Sequence, residues 1–157
     1  MPDVDTERLI AIVTGIQLKA ELGDRPLAYR VEQEVRDHLA AALPKSGPGE
    51  LPRLAPAVVT DVFYLNNDEI QTRPTIAIGG PGMNALSATL VDELPTALAI
   101  ENTLVIQMDL EMNDTRCAVW GMNHLDTVRA VETFIAKGYL DAFLKGVVEK
   151  SSIGHDE

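Results

Sequence analysis

Apolar runs that end in glycine alternate along this chain with segments that have the spacing of helices. Residues 8–15 are almost continuously apolar and end in Gly15, which is typical of a strand covered on both faces. Thr75–Ile78 is a second run of this kind and ends in the turn Gly79-Gly80-Pro81-Gly82. Residues 116–120 form a third, which ends in Gly121. The pattern predicts buried strands that lead into helices through glycine turns.

Three segments carry apolar residues at the 3.6-residue spacing of an amphipathic helix. Asp24 is a natural N-cap for the first, the glycine turn at 79–82 precedes the second, and Asn123 caps the third. The predicted buried stripes are Leu27, Val31, Val35 and Leu39; Leu86, Leu90 and Leu94; and Val128, Val131 and Ile135.

Three further strands are predicted at residues 58–65, 97–101 and 104–112. The last alternates apolar and polar residues, so one of its faces meets water, as at a sheet edge or in an antiparallel hairpin. Together the elements predict an α/β fold, a three-layer α/β/α sandwich with a mixed, mostly parallel sheet.

The chain of 157 residues is long enough for one domain with a sizeable core. We expect a single α/β domain over residues 1–150 and a flexible tail over 151–157. Residues 44–52 contain three prolines and two glycines, which favours an exposed loop within that domain.

Composition narrows the class of partner. The formal net charge of −11 disfavours nucleic acid and anionic membranes, because both repel an acidic surface. Cys117 is the only cysteine, so neither an intrachain disulfide nor a multi-cysteine zinc site can form. The N-terminus lacks the basic region of a signal peptide, and no apolar run approaches the roughly 20 residues of a membrane span. We expect a cytoplasmic protein.

The glycine ends of the three buried strands predict a ligand site. In an open α/β sheet the carboxyl ends of parallel strands share one edge, and ligands bind in the crevice above it. There the glycines would let backbone approach a ligand, short polar side chains would orient it, and an arginine would neutralise it. The predicted contacts are Arg25, Gly80, Gly82, Asn84, Asn123 and Thr127.

The glycine turn suggests the class of ligand. Gly80-Pro81-Gly82-Met83-Asn84-Ala85 satisfies the dinucleotide pattern G-x-G-x-x-A, and Glu101 follows at the distance of a ribose-binding acid. However, two strands precede the motif and Pro81 removes one N–H from the turn. We therefore predict a small polar or anionic ligand of nucleotide or phosphate type, with no cofactor identified. The alternative is a tight turn that only packs a helix on the sheet.

Two other classes of function stay open. In a hydrolase or transferase, His124 would act as general base and Asp109 or Asp126 would orient it. No metal signature is present, so no metal site is predicted. In a structural subunit, the strand with Met108, Leu110 and Met112 would pair edge to edge in a homo-oligomer.

Arg25 has an ordinary alternative role as the ion-pair partner of Glu21 or Asp24.

Overall fold

A computed structural model of the protein describes residues 6–43 and 53–155. The strands are β1 (Leu9–Thr14), β2 (Ala55–Thr60), β3 (Thr75–Ile78), β4 (Thr96–Ile100), β5 (Leu104–Met108) and β6 (Arg116–Gly121). The α-helices are α1 (Arg25–Ala42), α2 (Asp61–Leu65), α3 (Ala85–Leu90), α4 (His124–Ala136) and α5 (Tyr139–His155). A π-helical turn (Ala20–Asp24) leads into α1, and a 3₁₀ turn (Ile70–Thr72) precedes β3.

The six strands form one sheet in the order β2-β1-β3-β6-β5-β4. The first four are mutually parallel, whereas β5 is antiparallel to both β6 and β4. The predicted mixed, mostly parallel sheet is therefore confirmed, and so is the hairpin. Because β5 runs against β6, its last residue lies beside the start of β6, at the amino ends of the parallel strands.

Helices cover both faces of the sheet. Alternate strand residues such as Ile10 and Ile76 pack under α1, α4 and α5, in the larger apolar core. Their neighbours, such as Ala11 and Ala77, pack on the opposite face against Tyr64 of α2 and Leu86 of α3. This division follows from the two-residue repeat of a strand, and it confirms the three-layer α/β/α sandwich.

The prediction of one strand over residues 58–65 was wrong in its second half. The chain leaves β2 after Thr60 and forms α2 at once. The hydroxyl of Thr60 accepts a hydrogen bond from the N–H of Phe63, as a helix N-cap does. Tyr64 is then buried against the face of the sheet that α2 and α3 cover.

The strand predicted over residues 104–112 also ends early, at Met108. The carboxylate of Asp109 accepts hydrogen bonds from the N–H groups of Glu111, Asn113 and Asp114, which folds the following residues into a turn. The strand lies between β6 and β4, so it cannot pair with another copy edge to edge. The edges of the described sheet are β2 and β4 instead.

The predicted loop at 44–52 lies outside the described residues. Helix α5 runs through His155, so it includes the first part of the segment expected to be a tail. The domain boundaries at 1–150 and 151–157 stay predictions.

The side chain of Asn84 ties the carboxyl ends of β1 and β3 together. The strand order reverses between these two strands, where open α/β sheets usually have a crevice. Asn84 is 1% exposed, and its amide donates hydrogen bonds to the carbonyl oxygens of Val13 (2.9 Å) and Ile78 (3.0 Å). Beside it, a Cβ on Gly15 would overlap the carbonyl oxygen of Met83. The reversal point is therefore closed by the protein itself.

We predict that Asn84→Ala lowers the free energy of unfolding by about 2–4 kcal/mol, because it leaves two buried carbonyl groups and a helix N-terminus without partners. Asn113→Ala is the matched control, since Asn113 is exposed and its amide makes only a 3.5 Å contact with Glu111. That variant should change stability by less than about 0.5 kcal/mol. Urea unfolding measures both, and equal effects of the two substitutions would contradict the role of Asn84.

Candidate functional site

A cavity of about 540 Å³ opens at the carboxyl ends of β3 and β6. We call it the carboxyl-edge hollow. Its walls are the loop 80–83 after β3, the turn 120–124 after β6 with Thr127, and Lys19 and Asp24 from the connection between β1 and α1. Parts of three connections that are far apart in sequence therefore line one space, although Gly15 itself is not among the lining residues.

Five of the residues singled out from the sequence line the hollow: Gly80, Gly82, Asn123, Thr127 and His124. Arg25, Asn84 and Asp109 are not among the lining residues. The Asn84 side chain is buried in the contacts that close β1 against β3, so it is not placed to touch a ligand.

The first turn of α3 has no donors left for an anion. The N–H of Ala85 donates to the carboxylate of Asp61 (2.8 Å), and the side-chain oxygen of Asn84 accepts from the next two N–H groups. The helix also has only six residues, so its dipole is small. The physical basis of the dinucleotide pattern, a phosphate on this helix N-terminus, is therefore missing.

The loop before α3 is more open. A Cβ on Gly82 would have nothing within 4 Å, and one on Gly80 would make an ordinary 3.5 Å contact with the ring of Trp120. Within the described residues, the N–H groups of Gly80 and Gly82 have no hydrogen-bond acceptor. The glycine that the turn itself requires is Gly79, at φ +106°.

Helix α4 directs its N-terminus at the same hollow. Its 13 residues begin after Asn123, whose side-chain oxygen accepts the N–H of Asp126 (2.9 Å). The hydroxyl of Thr127 donates to the carbonyl of Asn123 and accepts the N–H of Gly121, so it braces the turn. In the part of the chain that the structure describes, the N–H of His124 has no acceptor. The positive end of this helix thus faces the cavity.

Asp24 lines the hollow, although the sequence predicts it as the N-cap of α1. It was expected to cap α1, yet its side chain makes no capping hydrogen bond. The carboxylate lies instead against β3, where a Cβ on Gly79 would be 2.5 Å from its Oδ2. Burial raises the pKa of Asp24 from 3.8 to about 6, and the nearby His124 acts in the opposite direction. An aspartate before Arg-Pro signals a helix cap, so nothing in the sequence marks this second role.

Arg25, which the sequence predicts to neutralise a ligand, contacts protein side chains instead. The guanidinium of Arg25 lies 3.2 Å from the carboxylate of Glu21 and donates to the hydroxyl of Tyr29 (2.9 Å). Its alternative role as an ordinary ion-pair residue is therefore the one observed. Lys19, six residues earlier, is the basic residue that lines the hollow together with His124.

Within the described residues, neither predicted acid makes a hydrogen bond or ion pair with His124. Asp109 is at the opposite edge of the sheet, and its carboxylate holds the turn after β5. Asp126 pairs with Arg129 at 3.3 Å. The acid that interacts with His124 is Asp24. Among residues 6–43 and 53–155, no three His, Cys, Asp or Glu side chains come together in a group that could hold a metal.

None of the helices in the described ranges combines the length and the apolar character needed to cross a bilayer. Comparison of the chain with protein-family models and with curated proteins gives no match. The fold and the geometry of the hollow therefore carry the functional inference.

We predict that Asp24→Asn stabilises the protein in a pH-dependent way. The folded carboxyl keeps its proton to about pH 6 whereas the unfolded one loses it near 3.8, so ionisation costs the folded state stability as the pH rises. Relative to the unmodified protein, the variant should gain up to about 3 kcal/mol between pH 4 and pH 8. Urea unfolding at several pH values measures the difference.

The control for this experiment is Asp68→Asn, because the side chain of Asp68 is exposed. Its effect should vary by less than about 0.5 kcal/mol over the same pH range. If the difference in free energy of unfolding between Asp24→Asn and the unmodified protein stays constant from pH 4 to pH 8, Asp24 is not a buried carboxyl with a raised pKa.

Proposed function

We propose that this protein binds a small polar ligand with one anionic group, of nucleotide or phosphate type, in the carboxyl-edge hollow. The observation that carries the proposal is that two separate turns line one cavity with residues whose backbone N–H groups have no acceptor among the described residues. Those of Gly80 and Gly82 come from the loop after β3, and that of His124 comes from the start of α4. Backbone donors at a helix N-terminus favour an anion.

The charged side chains of the hollow restrict the ligand further. Lys19 and the dipole of α4 attract an anionic group, whereas the carboxylate of Asp24 repels a second one at neutral pH. A hydroxyl or amino group on the ligand could instead donate to Asp24. A monoanion-bearing ligand with hydrogen-bond donors therefore fits better than a polyanion.

A second candidate is an enzyme in which His124 and Asp24 exchange protons with a bound substrate. The interaction of these two side chains in one hollow favours it, as does a carboxyl whose pKa of about 6 lies near neutrality. Asp24→Asn distinguishes the two functions: a transferase or hydrolase would lose turnover, while a simple binder would keep its affinity within about tenfold.

Gly82 offers the sharpest test of binding. Since a Cβ on Gly82 has no atom within 4 Å and the residue lines the cavity, Gly82→Leu should fold normally and place its side chain in the space that a ligand would occupy. Thermal unfolding with inorganic phosphate and with adenosine monophosphate should show saturable stabilisation of the unmodified protein by at least one of them. We expect Gly82→Leu to lower the affinity for that ligand at least tenfold and Gly82→Ala to lower it much less.

A charge variant provides the independent control. Lys19→Ala should lower the affinity for the same ligand about tenfold, because it removes a charged donor from the hollow. Lys137→Ala changes the charge equally at the far end of α4 and should leave binding unchanged. The absence of any saturable ligand, or equal binding by Gly82→Leu and the unmodified protein, would overturn the proposal.

A further inference from the structure

The wall of the carboxyl-edge hollow has an apolar part that the binding of an anionic group does not use. Pro81, Met83, Trp120 and Met122 all line the cavity. The chain has a single tryptophan, and it lies here, near the end of β6. Apolar and aromatic lining with a few polar groups is typical of sites for organic ligands. This composition points beyond a bare inorganic anion.

Trp120 extends the apolar core to the ligand edge of the sheet. Ala118, two residues earlier on β6, is fully buried in the core that contains Leu86 and Leu90 of α3. Trp120 packs against the same core, yet it is only partly buried and lines the cavity. One large ring is therefore supported by the core while part of its surface stays accessible.

Two glycines leave the space beside this ring free of side chains. A Cβ on Gly80 would lie 3.5 Å from Cε3 and 3.8 Å from Cδ2 of the Trp120 indole, at ordinary van der Waals distance. A Cβ on Gly82 would have no atom within 4 Å. Because neither position carries a side chain, a flat group of a ligand has room next to the indole.

Backbone hydrogen bonds hold both sides of the apolar part in place. The N–H groups of Met83 and Asn84 both donate to the carbonyl of Gly80 at 2.9 Å. The N–H of Met122 donates to the carbonyl of Thr103 at 3.0 Å. The thioether side chains of the two methionines are adaptable and make favourable contacts with aromatic rings. The hollow thus combines a fixed backbone with side chains that suit a ring.

The polar groups of the hollow lie together in a different part of its wall. A Cβ on Gly23 would be 2.8 Å from Nδ1 of His124, so the turn before α1 packs directly on the start of α4. Asp24 interacts with His124, and Lys19 comes directly before the same turn and lines the cavity. An anionic group is attracted to this part, whereas the contact with Gly80 places the indole at the loop after β3.

We propose that the ligand of the carboxyl-edge hollow carries a flat aromatic ring joined to its anionic group, and that Trp120 packs against this ring and selects for it. The inference rests on the proposed function and names its class of ligand, an aromatic phosphate or carboxylate. Paired aromatic rings gain energy beyond the area that they bury. A cavity of about 540 Å³ has room for a ring and an anionic group together.

Isothermal titration calorimetry with three phosphate monoesters tests the selection for a ring. Ribose 5-phosphate has no aromatic ring, adenosine monophosphate adds adenine to it, and phenyl phosphate carries a benzene ring. At least one aromatic probe should bind about tenfold or more tightly than ribose 5-phosphate. The tighter of the two aromatic probes shows whether the site recognises a base or a benzene ring.

Fluorescence of the unmodified protein reports the contact itself. Since Trp120 is the only tryptophan, its emission should change saturably when the tighter aromatic probe is added, and much less with ribose 5-phosphate. Emission that stays constant while calorimetry shows binding of the aromatic probe would overturn the contact with Trp120.

Substitutions separate selection for the ring from a structural role. Trp120→Leu should lower the affinity for the tighter aromatic probe about tenfold and leave that for ribose 5-phosphate within about twofold. Trp120→Phe keeps a flat ring and should restore most of the preference. Phe63→Leu is the matched control, because Phe63 is partly buried against the same core but does not line the cavity. It should leave both affinities unchanged, and equal losses for both probes in Trp120→Leu would contradict selection by the indole.

The outcomes distinguish this inference from the proposed function. If ribose 5-phosphate or inorganic phosphate binds as tightly as the aromatic probes, the selection for a ring is overturned and the proposed function stands. If no probe binds saturably, both are overturned. The comparison of probes and the fluorescence use the unmodified protein, so the test holds even if Trp120→Leu does not fold.

Discussion

The buried amide of Asn84 fixes the relation between the two central strands, and the position of the candidate site follows from it. Its hydrogen bonds to Val13 and Ile78 span the point at which the strand order reverses. In an open α/β sheet that point is normally the mouth of the ligand crevice. Here a side chain fills it, and the open space moves one strand along, to the ends of β3 and β6.

The position of this cavity also determines which groups would meet the proposed ligand. The helix N-terminus at the hollow is that of α4 and not that of α3, whose donors are already used by Asn84 and Asp61. A buried Asp24 lies opposite, with a pKa raised to about 6 by its surroundings. A carboxyl group kept in such a place at a cost to stability is typical of functional sites. The opposite edge of the sheet has a different character, with four basic side chains around its cavity.

The sequence predicts the architecture better than the sites. Continuous apolar runs and glycine ends identify the buried strands, and Asn123 marks the start of α4. Thr60 ends β2 inside an apolar run, because its capping hydrogen bond competes with strand pairing. The role of Asp24 is hidden by its position before a helix. The cavity at the amino ends of the parallel strands could not be predicted for another reason: its lining residues Arg8, Arg53 and Arg73 are distant in sequence, and only strand register brings them together.

The closure of the reversal point can be measured directly by nuclear magnetic resonance on the Asn84 side chain. Both of its amide protons should exchange slowly with solvent, since the residue is 1% exposed. Scalar couplings across hydrogen bonds should connect its Nδ2 to the carbonyl carbons of Val13 and Ile78. Rapid exchange together with the absence of both couplings would show that the crevice between β1 and β3 is open, and the site would then have to be placed there.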